Sequence, residues 1–299
     1  MNLIDINTLF PTDERCRELL TRLRWPTGPE CPRCKMPAVE LETEKTLYYC
    51  KDCDYQFTVT AGTIFNDSHL PLNKWFMATL LLCEAKKGMS ACQIKRTLGV
   101  SYKTAWYLCH RIRAAMKEAD KAMLDGTVEM DETYVGGRLR GAGKDWRGKQ
   151  RTNKEVVIGI RKRNGDLRFF HAEDAKIGTL QKYIEENLSE DVDIVITDEL
   201  PAYRRALGKH RAKHQTVNHW KKEYVRRGTD IHTNTIESAF SLLKRGIVGS
   251  WHKVSAKHLP AYLDEMTFRF NRRKNPNLFL DTLRHMITSS VLTFEKLTA

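Results

Sequence analysis

Two sets of side chains in this 299-residue chain have the types and spacing for chemistry, one of oxygens and one of sulfurs. The first begins in VEMDETYVGG, residues 128–137, where Asp131 and Glu132 interrupt a strand-like run made by Val128, Met130, Thr133, Tyr134 and Val135. A carboxylate buried in such a run costs on the order of several kcal/mol unless a cation or a hydrogen-bond donor meets it. The second acid is Asp198, at the end of DVDIVITD. There Ile194, Val195 and Ile196 form the continuous apolar run of a strand covered on both faces, and its carboxyl end is the usual mouth of an α/β site. The third lies in HTNTIESAFSLLKRG, where Ile236, Phe240, Leu243 and Ile247 recur at helical spacing. Glu237 borders that stripe with Ser241 and Lys244 on the same side, so Glu237 and Lys244, two turns apart, face one way.

Three carboxylates from two strands and a helix are explained together by divalent metal. Hard oxygen ligands suit Mg²⁺ or Mn²⁺, and two ions about 3.5–4 Å apart can serve both oxygens of an in-line phosphoryl displacement. Two of the acids also have a plainer reading. Strict alternation groups Asp131 with Glu129 and Thr133 on the solvated face of an edge strand, and Asn234 with Glu237 fits a capping box at a helix start.

The sulfur set is Cys31, Cys34, Cys50 and Cys53: C-P-x-C, a fifteen-residue spacer, then C-x-x-C. This spacing presents four thiolates tetrahedrally to Zn²⁺, a structural ion because no ligand position is left open. The spacer's VELETEKTLYY is β-rich and can return the chain to close the site. Cys16, Cys83, Cys92 and Cys109 lie mostly where a small buried apolar residue would serve equally well.

The elements around these sets are punctuated. Residues 72–116 read as helices: Ser90 with Gln93 makes a capping box, Gly99 closes a short helix, and Ser101 caps the next. That last helix buries Ala105, Leu108, Ile112 and Ala115 and turns Lys103, Thr104, Tyr107 and Arg111 outward. The pattern is that of a helix-turn-helix, whose second helix enters the major groove, and an ordinary three-helix packing unit carries the same signature. Further on, EVVIGIRKR and DLRFFHAED flank Asn164-Gly165 as a hairpin, followed by a helix over about residues 177–187.

A formal net charge of +13 and a pI near 9.4 favour a polyanionic partner, nucleic acid first. Residues 136–154 form a glycine-rich basic loop that includes Arg138 and Arg140. A second basic stretch, residues 204–227, includes Lys221, Lys222, Arg226 and Arg227, and both suit phosphate tracking. Trp251, Phe268 and Phe270 have the chemistry to stack on unpaired bases, although a core position is the favoured reading for both phenylalanines. The longest apolar run, residues 75–83, is far shorter than the ~20 residues of a bilayer helix, and the amino terminus lacks signal-peptide features. A cytosolic chain with reduced thiols is expected.

In chain order, CPRC with YYCKDC and FTVTAGTIF, SYKTAWYLCHRIR, MDETYVGG, ITDELPAY, NTIESAFSLLKRGI and YLDEMTFRFNRR resemble the IS1595-type (ISXO2-like) bacterial insertion-sequence transposases over nearly the entire chain. The resemblance implies a multidomain α+β protein. Its parts would be a zinc ribbon with an N-terminal helix over residues 1–70, a helix-turn-helix over 71–120, and an RNase H-like α/β catalytic domain with a mixed sheet over 121–299. Asp131, Asp198 and Glu237 would be the DDE acids for two Mg²⁺ (or Mn²⁺) ions, and Lys244 matches the basic residue the family places seven positions past its glutamate. Glu132 and Glu199 adjoin two of the acids and leave the assignment open by one position. The implied activity is binding of double-stranded terminal inverted repeats, cleavage at the element end, and attack of the freed 3′-hydroxyl on target DNA. A homo-oligomer on the prokaryotic nucleoid follows, since two ends must be joined. A DNA-binding regulator without chemistry and a nuclease that cuts without joining are the rival readings.

Overall fold

The computed structural model describes residues 1–41, 46–118, 121–136, 154–218 and 225–299. They divide into two units, Met1–Lys117 with Arg272–Ala299, and Glu118–Asn271.

In the first unit, polar residues start the helices. Asn2 and Asp5 make a capping box for α1 (Leu3–Leu9), and Thr12 caps α2 (Asp13–Arg24). Three short antiparallel strands follow in the order β1 (Val39–Glu40), β2 (Tyr48–Cys50) and β3 (Tyr55–Phe57). Trp25 meets Tyr48 and Phe57 edge-on and gives this small sheet its apolar cover. Helix α3 (Leu72–Glu84) buries Trp75, Phe76, Leu80 and Leu82. Helix α4 (Ala91–Leu98) begins where the Ser90 hydroxyl accepts the Gln93 N–H at 3.1 Å and ends at Gly99 with φ 61°. Ser101 then caps α5 (Tyr102–Ala115), accepting the Thr104 N–H at 3.1 Å.

Helix α5 buries Ala105, Leu108, Ile112 and Ala115, as its periodicity predicts. Its other side departs from expectation. Arg111 is buried, donates to the Asn66 carbonyl at 2.6 Å and lies 4.8 Å over the Trp75 ring. The Tyr107 hydroxyl donates to the Leu292 carbonyl at 2.6 Å. Both have long apolar bodies that neighbouring segments cover while carbonyls take the polar tips, so neither points outward.

The second unit is built on a five-stranded mixed sheet. Its members are β4 (Leu124–Val135), β5 (Glu155–Lys162), β6 (Leu167–Ala172), β7 (Leu188–Asp198) and β8 (His214–Val217). The order is β6-β5-β4-β7-β8; β5 runs antiparallel to both of its neighbours, β4 and β6, while β7 and β8 are parallel to β4. The β5–β6 hairpin turns through Asn164, at φ 56°, and Gly165. Strand β4 is therefore central, which overturns the edge-strand reading of Asp131.

Helix α6 (Ile177–Asn187) and helix α7 (Pro201–Ala206) cover one face, packing Leu180, Ile184 and Tyr203 on Val128, Met130, Ile158 and Val195. Helix α8 (Asn234–Gly246) and helix α9 (Leu259–Asn271) cover the other, packing Ile236, Phe240 and Leu263 on Val157 and Phe169. Gly159 of β5 stands opposite Asp131, and a Cβ there would lie 2.7 Å from Phe240 Cζ and 2.8 Å from Ile236 Cδ1. Glycine is thus what lets α8 lie down on the sheet beside Asp131.

Past α8 the backbone widens into a π turn over Ile247–Trp251. Trp251 is buried against Tyr262 at 4.8 Å, so it is a core residue and offers no stacking face for bases. Phe268 is fully buried, in agreement with the favoured reading.

The last segment then leaves this unit. Helix α10 (Leu278–Thr288) packs in the first unit, with Phe279 against Phe76 at 5.8 Å and Thr282 Oγ1 3.2 Å from Cys83 Sγ, and α11 (Phe294–Thr298) closes on Tyr107. The division drawn from sequence kept these residues with the catalytic domain. The apolar side of α10, made by Phe279, Leu283, Met286 and Ile287, finds its cover in the first unit instead.

Candidate active site

The sulfur cluster forms where two knuckles reverse the chain. Lys35 and Asp54, each directly after the second cysteine of a pair, take φ values of 65° and 53°. Within the first knuckle Lys35 N–H donates to Cys31 O at 3.0 Å, and Cys31 N–H to Met36 O at 2.9 Å. The four Sγ atoms of Cys31, Cys34, Cys50 and Cys53 lie within 4.8 Å of one another, with Cys31–Cys53 at 3.6 Å and Cys34–Cys50 at 3.4 Å. A tetrahedral site with Zn–S bonds of about 2.3 Å sets sulfurs about 3.8 Å apart, so these residues fit zinc.

The oxygen cluster forms where β7 ends beside the middle of the central strand β4. Register pairs Glu129 of β4 with Ile196 of β7, which brings Asp131 beside Asp198 two residues on. Carboxylate oxygens of Asp131, Glu132 and Asp198 come within 4.8 Å of one another. Burial, then the neighbouring carboxylates of Glu132 and Asp198 and more weakly Glu237, push the Asp131 carboxyl up to about 8. Glu132 is raised as well, by burial and by Asp198. The fully buried Tyr203 donates its hydroxyl to Glu132 Oε2 at 3.0 Å. Half-buried hard-oxygen donors that repel one another in this way fit a divalent cation.

Asp131 and Glu132 line a cleft of about 550 Å³ whose opposite wall is α8, with Glu237, Ser241, Lys244 and Arg245. Glu237 and Lys244 thus face the acid cluster across one cleft. Of the two adjoining acids, Glu132 joins the cluster, while Glu199 is exposed beside it.

Sequence reasoning missed Glu129. It is fully buried and accepts the backbone N–H groups of Thr235 and Ile236 on Oε2, at 2.9 and 3.0 Å, and Arg163 Nε on Oε1 at 2.7 Å. This strand carboxylate caps α8, where a box of Asn234 and Glu237 was expected; Glu237 Oε1 instead accepts the Thr233 hydroxyl at 2.9 Å. Alternation placed Glu129 correctly on the Asp131 face, and the error lay in taking that face as solvated.

Among the other nominated residues, Lys103 is exposed and Thr104 half-buried at the start of α5. Arg226 is latched to β8 through Gln215 Oε1 at 2.8 Å and Thr216 O at 2.5 Å, and Arg227 is exposed. Arg138, Arg140, Lys221 and Lys222 lie outside the described residues.

Residues 123–271 match the ISXO2-like transposase domain, and residues 11–56 match the transposase zinc-ribbon domain. The chain is 30% identical over 276 residues to an uncharacterized protein in transposable element ISH50 of Halobacterium salinarum, spanning 87% of this chain and 91% of that one. Among the described residues no helix is long and apolar enough to cross a membrane. The chain belongs to the IS1595 (ISXO2-like) family of insertion-sequence transposases.

Proposed function

We propose that this protein binds the terminal inverted repeats of its element and performs DNA end cleavage and strand transfer. The observation that carries the reading is the clustering of Asp131 and Glu132 with Asp198, and the cleft that the first two share with Glu237 and Lys244. Asp131, Asp198 and Glu237, joined by Glu132, would hold two Mg²⁺ or Mn²⁺ ions, which when bound supply Lewis acidity and neutralise charge at the phosphate. Cleavage adds water to the phosphorus at the element end and breaks its bond to the 3′ oxygen, which leaves carrying a proton. In strand transfer that 3′ oxygen bonds to a target phosphorus, the target's own ester bond breaks, and the proton passes to its leaving oxygen.

The chain's own work is placement and charge. Lys244 offers an ammonium to the phosphate from the α8 wall. The Asp131 carboxyl holds a proton near neutral pH in the metal-free protein and releases it when a cation arrives. The mixed sheet, with one acid inside the central strand β4 and another at the end of the adjacent parallel strand β7, supports an RNase H-like fold. The capped pair α4–α5 supports a helix-turn-helix, with Lys103 and Thr104 nearest the groove. Zn²⁺ holds the ribbon, Arg227 and the basic stretches track phosphate, and the working form is a homo-oligomer on the cytoplasmic nucleoid.

The test incubates purified protein with Mg²⁺ or Mn²⁺ and a labelled duplex carrying the inverted repeat found beside the gene. Nicked and then joined products are expected. Binding without either product supports the regulator reading, and cutting without joining supports the nuclease.

A further inference from the structure

We infer that Glu129 is a positioning residue for phosphoryl transfer: from β4 it fixes the start of α8 and so sets where Glu237 and Lys244 stand opposite Asp131. The inference rests on the proposed function and adds a residue that directs the site without entering it.

Glu129 is two positions before Asp131 on the same strand face, and its two oxygens are committed to different elements. Oε2 takes both the Thr235 and Ile236 amides, the residues immediately before Glu237. Oε1 takes Arg163, from the turn after β5, and His232 Nδ1 lies 3.4 Å away. The same guanidinium holds the carbonyls of Asp230 at 2.6 Å and His232 at 3.1 Å, and pairs with the Asp230 carboxylate. One carboxylate and one guanidinium thereby fix the chain from Asp230 into the first turn of α8.

The Thr233 hydroxyl donates to Glu237 Oε1, and the amides at the start of α8 are held by the strand that carries the first acid. A carboxylate at the amino end of a 13-residue helix also meets the positive end of its dipole. Since Glu237 adjoins the capped amides, any slip at the cap moves its carboxylate by the same amount.

The test compares wild type with Glu129→Ala and Glu129→Gln. Glutamine keeps an acceptor for the amides but not the charge, which guards against a variant that merely fails to fold. Readouts are Mn²⁺ binding by electron paramagnetic resonance, hydrogen exchange at the Thr235 and Ile236 amides, affinity for the end duplex, and single-turnover cleavage. In Glu129→Ala, Mn²⁺ affinity and cleavage rate should each fall about 10- to 100-fold. The two amides should lose protection while the β4–β5 ladder keeps its own, and duplex affinity should stay within about twofold of wild type. Glu129→Gln should fall between.

Folded Glu129→Ala that binds Mn²⁺ and exchanges its α8 amides like wild type would overturn the inference. So would a deficit that merely follows the unfolded fraction and vanishes in Glu129→Gln. Wild-type protein that cuts nothing, while Glu129→Ala still frees the amides and weakens Mn²⁺, would remove strand transfer and leave the positioning role supported.

Discussion

Asp131 is an acid whose folded pKa, about 8, lies well above its ordinary 3.8. The folded state then keeps a proton that the unfolded chain has already released, so stability falls as pH rises through that window. The metal-free protein should melt progressively lower between about pH 4 and about pH 8, and Mn²⁺ should restore the loss at the upper end. Asp131→Asn should flatten the slope in thermal melts; an unchanged slope would place the titrating group elsewhere. Asp198→Asn is expected to abolish cleavage while duplex affinity survives, and full activity in that variant would remove the metal mechanism. Asp131, Glu132, Asp198 and Glu237 stood out in the sequence as candidate acids because each lies in or beside an apolar pattern. The role of Glu129 did not, since its partners, Arg163 and the α8 amides, lie 34 to 107 residues away along the chain. Arg111 and Tyr107 misled for a related reason: helical periodicity reports which side is polar, and a second layer can bury a polar side whose long stems are apolar.

At the level of elements, the contact between α8 and the sheet is set by a missing side chain. Gly159→Ala would place a methyl group against Phe240 and Ile236, and should cost about 1–3 kcal/mol in denaturant melts while slowing cleavage beyond that loss. Wild-type cleavage in this variant would show that the α8 seat tolerates a shift. In the ribbon, Cys34→Ser should release the zinc and disorder the knuckles, because a structural ion contributes on the order of 10–16 kcal/mol to such a module. Metal content by absorption spectroscopy and end binding by gel shift read the two consequences. Local chemistry made much of this visible in sequence: Asn164-Gly165 marked the hairpin, Ser90, Gly99 and Ser101 marked the helix ends, and the cysteine spacing marked the knuckles. Strand order was invisible, because an apolar run such as Ile194–Ile196 states that both faces are covered without stating which strands adjoin it.

For the molecule as a whole, the positive charge predicts an affinity for DNA that falls steeply with salt, with a log–log slope of about −0.9 per phosphate neutralised. A flat response would leave the +13 charge without a role in binding. The carboxyl-terminal segment carries a second consequence. Because Arg272–Ala299 completes the unit begun by Met1–Lys117, the entire 118–271 segment is threaded between two halves of one fold. On a ribosome, the amino-terminal module must wait, unfinished, until residues 118–271 have been synthesised and α10 and α11 emerge. A frameshift or nonsense codon just after residue 271 therefore releases a polypeptide bearing every acid of the cleft and an incomplete companion.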